Sequence, residues 1–174
     1  MPLRGWVELP GSVTRALAMA YRQPPEVRPI TSGKASPSAN EQQQLGLRPG
    51  QPVLARDTEL RVQGQVLVRA RSATPLDPHS RLNRMLGQLG RSSLGDRLFL
   101  ARGKETPRRL WLQFASRASE DGYWGRQALW LVYGRSLLVQ EYFAPVLADD
   151  APPPSRYTAR RLRRATLNPS WTPH

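Results

Sequence analysis

The stretch Gly134-Arg-Ser-Leu-Leu-Val-Gln-Glu-Tyr-Phe-Ala-Pro145 reads as a tight turn, a strand and a stop. Gly134-Arg135 supplies the turn, and Pro145, which cannot donate to a ladder, ends the run. Side chains alternate across a strand, so Leu137, Val139, Glu141 and Phe143 share one face. Three are apolar and one is a carboxylate. Desolvating a carboxylate on such a face is costly unless it is hydrogen-bonded or charge-paired. Glu141 is therefore half of a structural ion pair, a residue of a half-exposed edge strand, or part of a pocket for a small polar ligand. A second strand-like run, Gln65-Val-Leu-Val-Arg-Ala-Arg-Ser-Ala73, offers Arg69 and Arg71 as counter-charges.

Working upstream, Gln63-Gly64 joins that run to a strand over Pro52 to Val62, a hairpin signature. Arg108 to Arg117 alternates, with Leu110, Leu112 and Phe114 on one side, and Gly125 to Tyr133 follows it. Glu26 to Thr31 is a short extended segment, and the polar stretch Ser32 to Gln44 reads as a loop. Helices are signalled in three places. Ser12 caps Val13, Ala16, Leu17, Ala20 and Tyr21, which repeat at i, i+3, i+4, i+7 and i+8. Asp77-Pro78 opens a second helix carrying Leu82, Met85, Leu86 and Leu89, which Gly90 ends. Ser92-Ser93 caps a third from Leu94 through Phe99. The expectation is an α+β single domain: a mostly antiparallel sheet of about six strands, with helices covering one face.

At 174 residues the chain can bury a real core in one domain. Residues 1–147 form the expected domain, and 148–174 a Pro/Arg-rich extension. Cysteine is absent, which excludes disulfides, thiolate nucleophiles and cysteine metal sites. The two histidines, His79 and His174, are far apart, so a histidine metal site or serine–histidine triad is not expected. The net charge is +13, carried almost wholly by arginine, with lysine only at Lys34 and Lys104. The arginines are dispersed and no nucleic-acid motif appears, so the charge reads as attraction for an anionic small molecule. Neither a signal peptide nor an apolar run long enough to span a bilayer is present, which makes the cytoplasm the expected compartment.

With the elements placed, five pieces in order resemble the chorismate pyruvate-lyase family. They are Gly11-Ser-Val-Thr-Arg15, Arg71-Ser-Ala-Thr-Pro75, Gly90-Arg-Ser-Ser-Leu-Gly95 with Arg97-Leu-Phe99, Tyr123-Trp-Gly-Arg126, and Leu137-Leu-Val-Gln-Glu-Tyr-Phe-Ala-Pro145. The likeness runs from Trp6 to Pro145. It implies elimination of pyruvate from chorismate to give 4-hydroxybenzoate for ubiquinone synthesis, with no cofactor and no metal, by a monomer. It also implies that Arg71 binds the ring carboxylate, that Glu141 meets the ring hydroxyl, and that Val13 and Leu94 contribute main-chain contacts to the carboxylate. Both of the latter sit in the first turn of a capped helix, where unpaired N–H groups favour an anion.

Effector-binding domains of certain bacterial transcription regulators resemble the same fold and bind metabolites without chemistry. Those follow a DNA-binding module, for which the about twelve residues before the first helix leave no room. A pyridoxal-phosphate lyase would need a well-placed lysine, which neither Lys34 nor Lys104 provides.

Overall fold

The structure, a computed structural model, describes residues 3–150 except 102 and 104. The expected C-terminal extension therefore lies, beyond Asp150, outside the described residues. Six strands are present: β1 (Glu26–Ala35), β2 (Val53–Val62), β3 (Gln65–Pro75), β4 (Arg108–Phe114), β5 (Trp124–Val132) and β6 (Arg135–Phe143). They form one sheet in the order β1-β2-β3-β6-β5-β4, and every neighbouring pair is antiparallel. The two hairpin turns depend on left-handed backbone at Gln63-Gly64 and Tyr133-Gly134, which matches the twist of the strands they join.

Four helices lie on one face: α1 (Arg4–Val7), α2 (Val13–Tyr21), α4 (Arg81–Gly87) and α5 (Leu94–Leu100). Ser12 and Ser93 cap α2 and α5 as expected, each accepting from the backbone N–H three residues on. The start of α4 differs from the expectation. Asp77 folds back on its own loop, accepting from the His79 N–H, and Ser80 caps the helix instead.

The Ser32 to Gln44 stretch is not a loop. β1 continues to Ala35, and α3 (Ala39–Leu45) follows on the opposite face of the sheet. A capping box drives this: the Ser38 hydroxyl accepts from the Glu41 N–H, while the Glu41 carboxylate accepts from the Ser38 N–H. Helices thus cover both faces, with one on the side expected to be bare.

Two apolar clusters fill the face under the four helices. Trp6, Val7, Leu9 and Leu17 pack on Leu60, Val68 and Phe143 at one end. Leu82, Leu86, Leu94 and Leu98 pack on Leu112, Trp130 and Leu137 at the other. Between the clusters the sheet carries charge, and there a cavity opens.

Candidate functional site

Strand register decides which side chains meet. Glu141 pairs with Ala70 on β3 and with Arg126 on β5, and directly opposed residues point to the same face. By the same rule Ser72 pairs with Val139 and with Arg56, while Thr58 pairs with Ala70. Arg56, Thr58, Ala70, Ser72, Val139, Glu141, Arg126 and Ala128 therefore line one patch, roofed by Val13 and Thr14 of α2 and by Leu94, Gly95, Leu98 and Phe99 of α5.

Arg109 reaches this face through a defect in β4. The register shifts between Arg109 and Trp111, leaving Leu110 unpaired and exposed. Arg109 consequently opposes Trp130 and shares a face with Leu112 and Phe114. The expected Leu110–Leu112–Phe114 alternation fails at its first member. Without the bulge, Arg109 would point away.

Three guanidinium groups and one carboxylate face the cavity, and their ties differ. Arg126, only 3% exposed, donates from Nε to Glu141 Oε2 at 2.6 Å and from Nη1 to the Val7 and Leu9 carbonyls at 3.1 and 2.6 Å. Those three bonds fix Glu141 and the chain ahead of α2. Arg56, 4% exposed, donates from Nη2 to the Gly90 and Ser92 carbonyls, which holds the loop before α5. Among the described residues it has no carboxylate partner, and burial pulls its pKa below the ordinary value. Arg109 is half-buried, with its guanidinium carbon 5.8 Å from the centre of the Trp130 ring, and it too lacks a carboxylate partner among the described residues. Burial lowers its pKa, Arg126 adds to that and Glu141 opposes it. Two desolvated cations with no carboxylate partner among the described residues give this patch a field that favours anions.

Of the four residues expected at the site, Val13, Leu94 and Glu141 meet at the cavity. Arg71 does not. It pairs with Gln140, one residue from Glu141, and so projects from the other face. There its Nε donates to Glu41 Oε1 at 2.5 Å and its Nη1 to Asp57 Oδ2 at 3.0 Å. The bond to Glu41 holds its pKa above the ordinary value, against the effect of burial. Glu41 is wholly buried, so Arg71 is the counter-ion that docks α3. The arginine of β2 that lines the cavity is Arg56. Its signal was present in the sequence: Arg56, Thr58 and Leu60 alternate along the predicted strand as Val139, Glu141 and Phe143 do along theirs. Lys34 is an exposed residue of β1, and Lys104 lies outside the described residues. Among the described residues no cluster of His, Asp and Glu could hold a metal, and no helix is long and apolar enough to cross a membrane.

The α2 and α5 N-termini approach closely over the cavity. Thr14 and Ser93 hydroxyls lie 2.9 Å apart, Ser12 Oγ donates to Asp96 Oδ1, and a Cβ on Gly95 would come within 3.2 Å of Ser12 Oγ. Gly95 thus permits the contact. The cavity volume is about 60 Å³. An apolar cavity of about 150 Å³ is what accommodates a benzene ring. A ring ligand needs more room than this cavity offers.

Solved structures share this architecture. The C-terminal domain of PhnF superposes with a TM-score of 0.56 over 70% of this chain and 83% of that one, at 18% identity. PhnF from Mycobacterium smegmatis gives 0.51 over 78% of this chain and 64% of that one, at 12% identity. At such identities the likeness is one of fold. Sequence relatives are nearer. The probable chorismate pyruvate-lyase of Methylococcus capsulatus is 36% identical over 160 residues, 83% of this chain and 96% of the relative. That of Chromohalobacter salexigens is 36% identical over 157 residues, 87% and 85% of the two chains. A sequence model of the family described as chorismate lyase matches residues 2–151, essentially the whole described fold, and the chain belongs to that family.

Proposed function

We propose that this protein eliminates pyruvate from chorismate to form 4-hydroxybenzoate, and that Arg56, Glu141, Val13 and Leu94 hold the ring. The observation that carries the reading is the buried, acid-free guanidinium of Arg56 facing, across the same cavity, the carboxylate of Glu141. β2 and β6 are two strands apart, about 10 Å. That matches a ring with a carboxylate and a para hydroxyl, hydrogen-bonded at each end. Arg56 offers a planar fork to the ring carboxylate, and its bonds to Gly90 and Ser92 place it beside the first turn of α5. The N–H groups of Val13 and Leu94, unpaired within their helices, supply the remaining donors.

Glu141 Oε2 accepts from Arg126, leaving Oε1 for the ring hydroxyl and the hydrogen on the same carbon. The reaction balances without an added reagent. Glu141 takes the ring hydrogen as a proton, the C–H pair becomes the new ring π bond, and the neighbouring ether C–O pair departs with the enolpyruvate oxygen. Protonation of the enolpyruvate methylene carbon then gives pyruvate. Aromatisation supplies the driving force, which is the reading's reason for expecting no cofactor.

Purified protein incubated with chorismate should develop the ultraviolet absorbance of the aromatic product. Saturable binding of 4-hydroxybenzoate without turnover would instead describe a sensor of this fold. Two substitutions distinguish the arginines. Arg56→Met should raise both KM for chorismate and the inhibition constant of 4-hydroxybenzoate by about 10- to 100-fold, the value of a charged hydrogen-bonded contact. Arg71→Ala should leave both constants unchanged yet lower unfolding free energy in urea by about 3 kcal/mol, because Glu41 loses its counter-ion in the dry interior.

A further inference from the structure

Once Arg56 is assigned to the ring, Arg109 remains unexplained. It lines the same cavity, and no ion pair to a described acid accounts for it. Its Trp130 contact offers a flat apolar partner and only part of the compensation a desolvated cation needs. The bulge at Leu110 is the device that brings it inward, at the cost of exposing a leucine and interrupting the ladder with β5.

Its position relative to the other groups is specific. In the order β2-β3-β6-β5-β4, Arg56 stands on β2, Glu141 on β6 and Arg109 on β4, so across the sheet the strand of Glu141 lies between those of the two acid-free cations, with Arg109 in the register row of Leu137. A ring held by its carboxylate at Arg56 and its hydroxyl at Glu141 carries its three-carbon ether arm on the carbon next to the hydroxyl. That end of the ring faces β5 and β4. The arm ends in a second carboxylate.

We propose that Arg109 is the receptor for the carboxylate of this departing arm and makes the site selective for dianionic substrate over monoanionic product. The inference rests on the chorismate reading and extends it to the half of the substrate that the ring contacts leave unbound. When the ether bond breaks, its electron pair moves onto the enolpyruvate oxygen, adding charge to the fragment that Arg109 already holds. Arg109 therefore binds the arm in the ground state and supports it more strongly as the bond breaks. After the reaction the ring product has lost its partner at Arg109, whereas Arg56 still holds it.

The test is a comparison of two constants in one variant. In Arg109→Met, KM for chorismate should rise about 10- to 100-fold with some loss of kcat, while the inhibition constant of 4-hydroxybenzoate stays within about 2-fold of the parent. Arg109→Lys, which keeps the charge without the fork, should recover part of the loss, and pyruvate should protect the parent cavity more than the Met variant in hydrogen exchange of α5. Equal losses for substrate and product would place Arg109 on the ring and overturn the proposal, as would unchanged constants. If Arg109→Met does not fold, Arg109→Gln is read by the same two constants. A parent protein that does not turn over chorismate removes the underlying reading itself, an outcome separate from an active parent whose Arg109 variants behave like the Arg56 variant.

Discussion

Replacing Glu141 by glutamine lowers kcat on chorismate by about 10²- to 10⁴-fold, the contribution typical of a positioned proton acceptor, with little change in KM. The amide keeps the size of the carboxylate, can still accept from Arg126 Nε through its oxygen, and can still meet the ring hydroxyl. What it cannot do is take a proton from the adjacent carbon. Alanine is a poorer probe, because it strips Arg126 of its anion in a buried setting and mixes a structural effect into the kinetics. Aspartate should fall between, since it retains the base but withdraws it from the reacting carbon. Steady-state measurement of kcat and KM separately checks the expectation. A glutamine variant with parental kcat would reduce Glu141 to a hydrogen-bonding partner and leave the proton acceptor elsewhere.

Why Glu141 was legible from sequence and its partners were not follows from the geometry of sheets. The face of Glu141 depends only on alternation within one strand, and Leu137, Val139 and Phe143 around it fix that face without ambiguity. A partner across the sheet depends on register, and register is set by hairpin turns and bulges that leave little trace in sequence. Arg71 illustrates the cost of an offset of one: Ala70 opposes Glu141, so the arginine beside it joins Gln140 on the other face. Arg109 was hidden by a bulge that breaks an otherwise regular alternation. α3 is a different case, because Ser38 and Glu41 stand at capping-box spacing and could have marked a helix there. The surrounding Ser, Asn and Gln residues obscured it, since such residues serve loops and helix ends alike. The caps of α2 and α5 and the Gln63-Gly64 turn needed no long-range information, and those agree with the structure.

Arg126→Met should be the most destabilising of the substitutions considered, by about 3 to 5 kcal/mol, the range for breaking a buried ion pair. Methionine fills much of the same space, so the loss reports on charge and hydrogen bonding and not on a cavity. Three acceptors are abandoned together: Glu141 Oε2 and the carbonyls of Val7 and Leu9. Those carbonyls lie at the end of α1 and in the segment that joins it to α2, so the loss also loosens the helix whose first turn roofs the cavity. For a chain of this size the melting temperature should fall by about 6 to 20 °C, and backbone amides of α1 and α2 should exchange faster than those of β2 and β3. The double variant Arg126→Met/Glu141→Gln separates the contributions. With the stranded carboxylate neutralised, its destabilisation should be smaller than the sum of the two single effects by more than about 0.5 kcal/mol, the margin that marks coupled sites. Additive losses would mean that the carbonyl bonds, and not the ion pair, hold this part of the fold together, and Glu141 would then owe its position to packing alone.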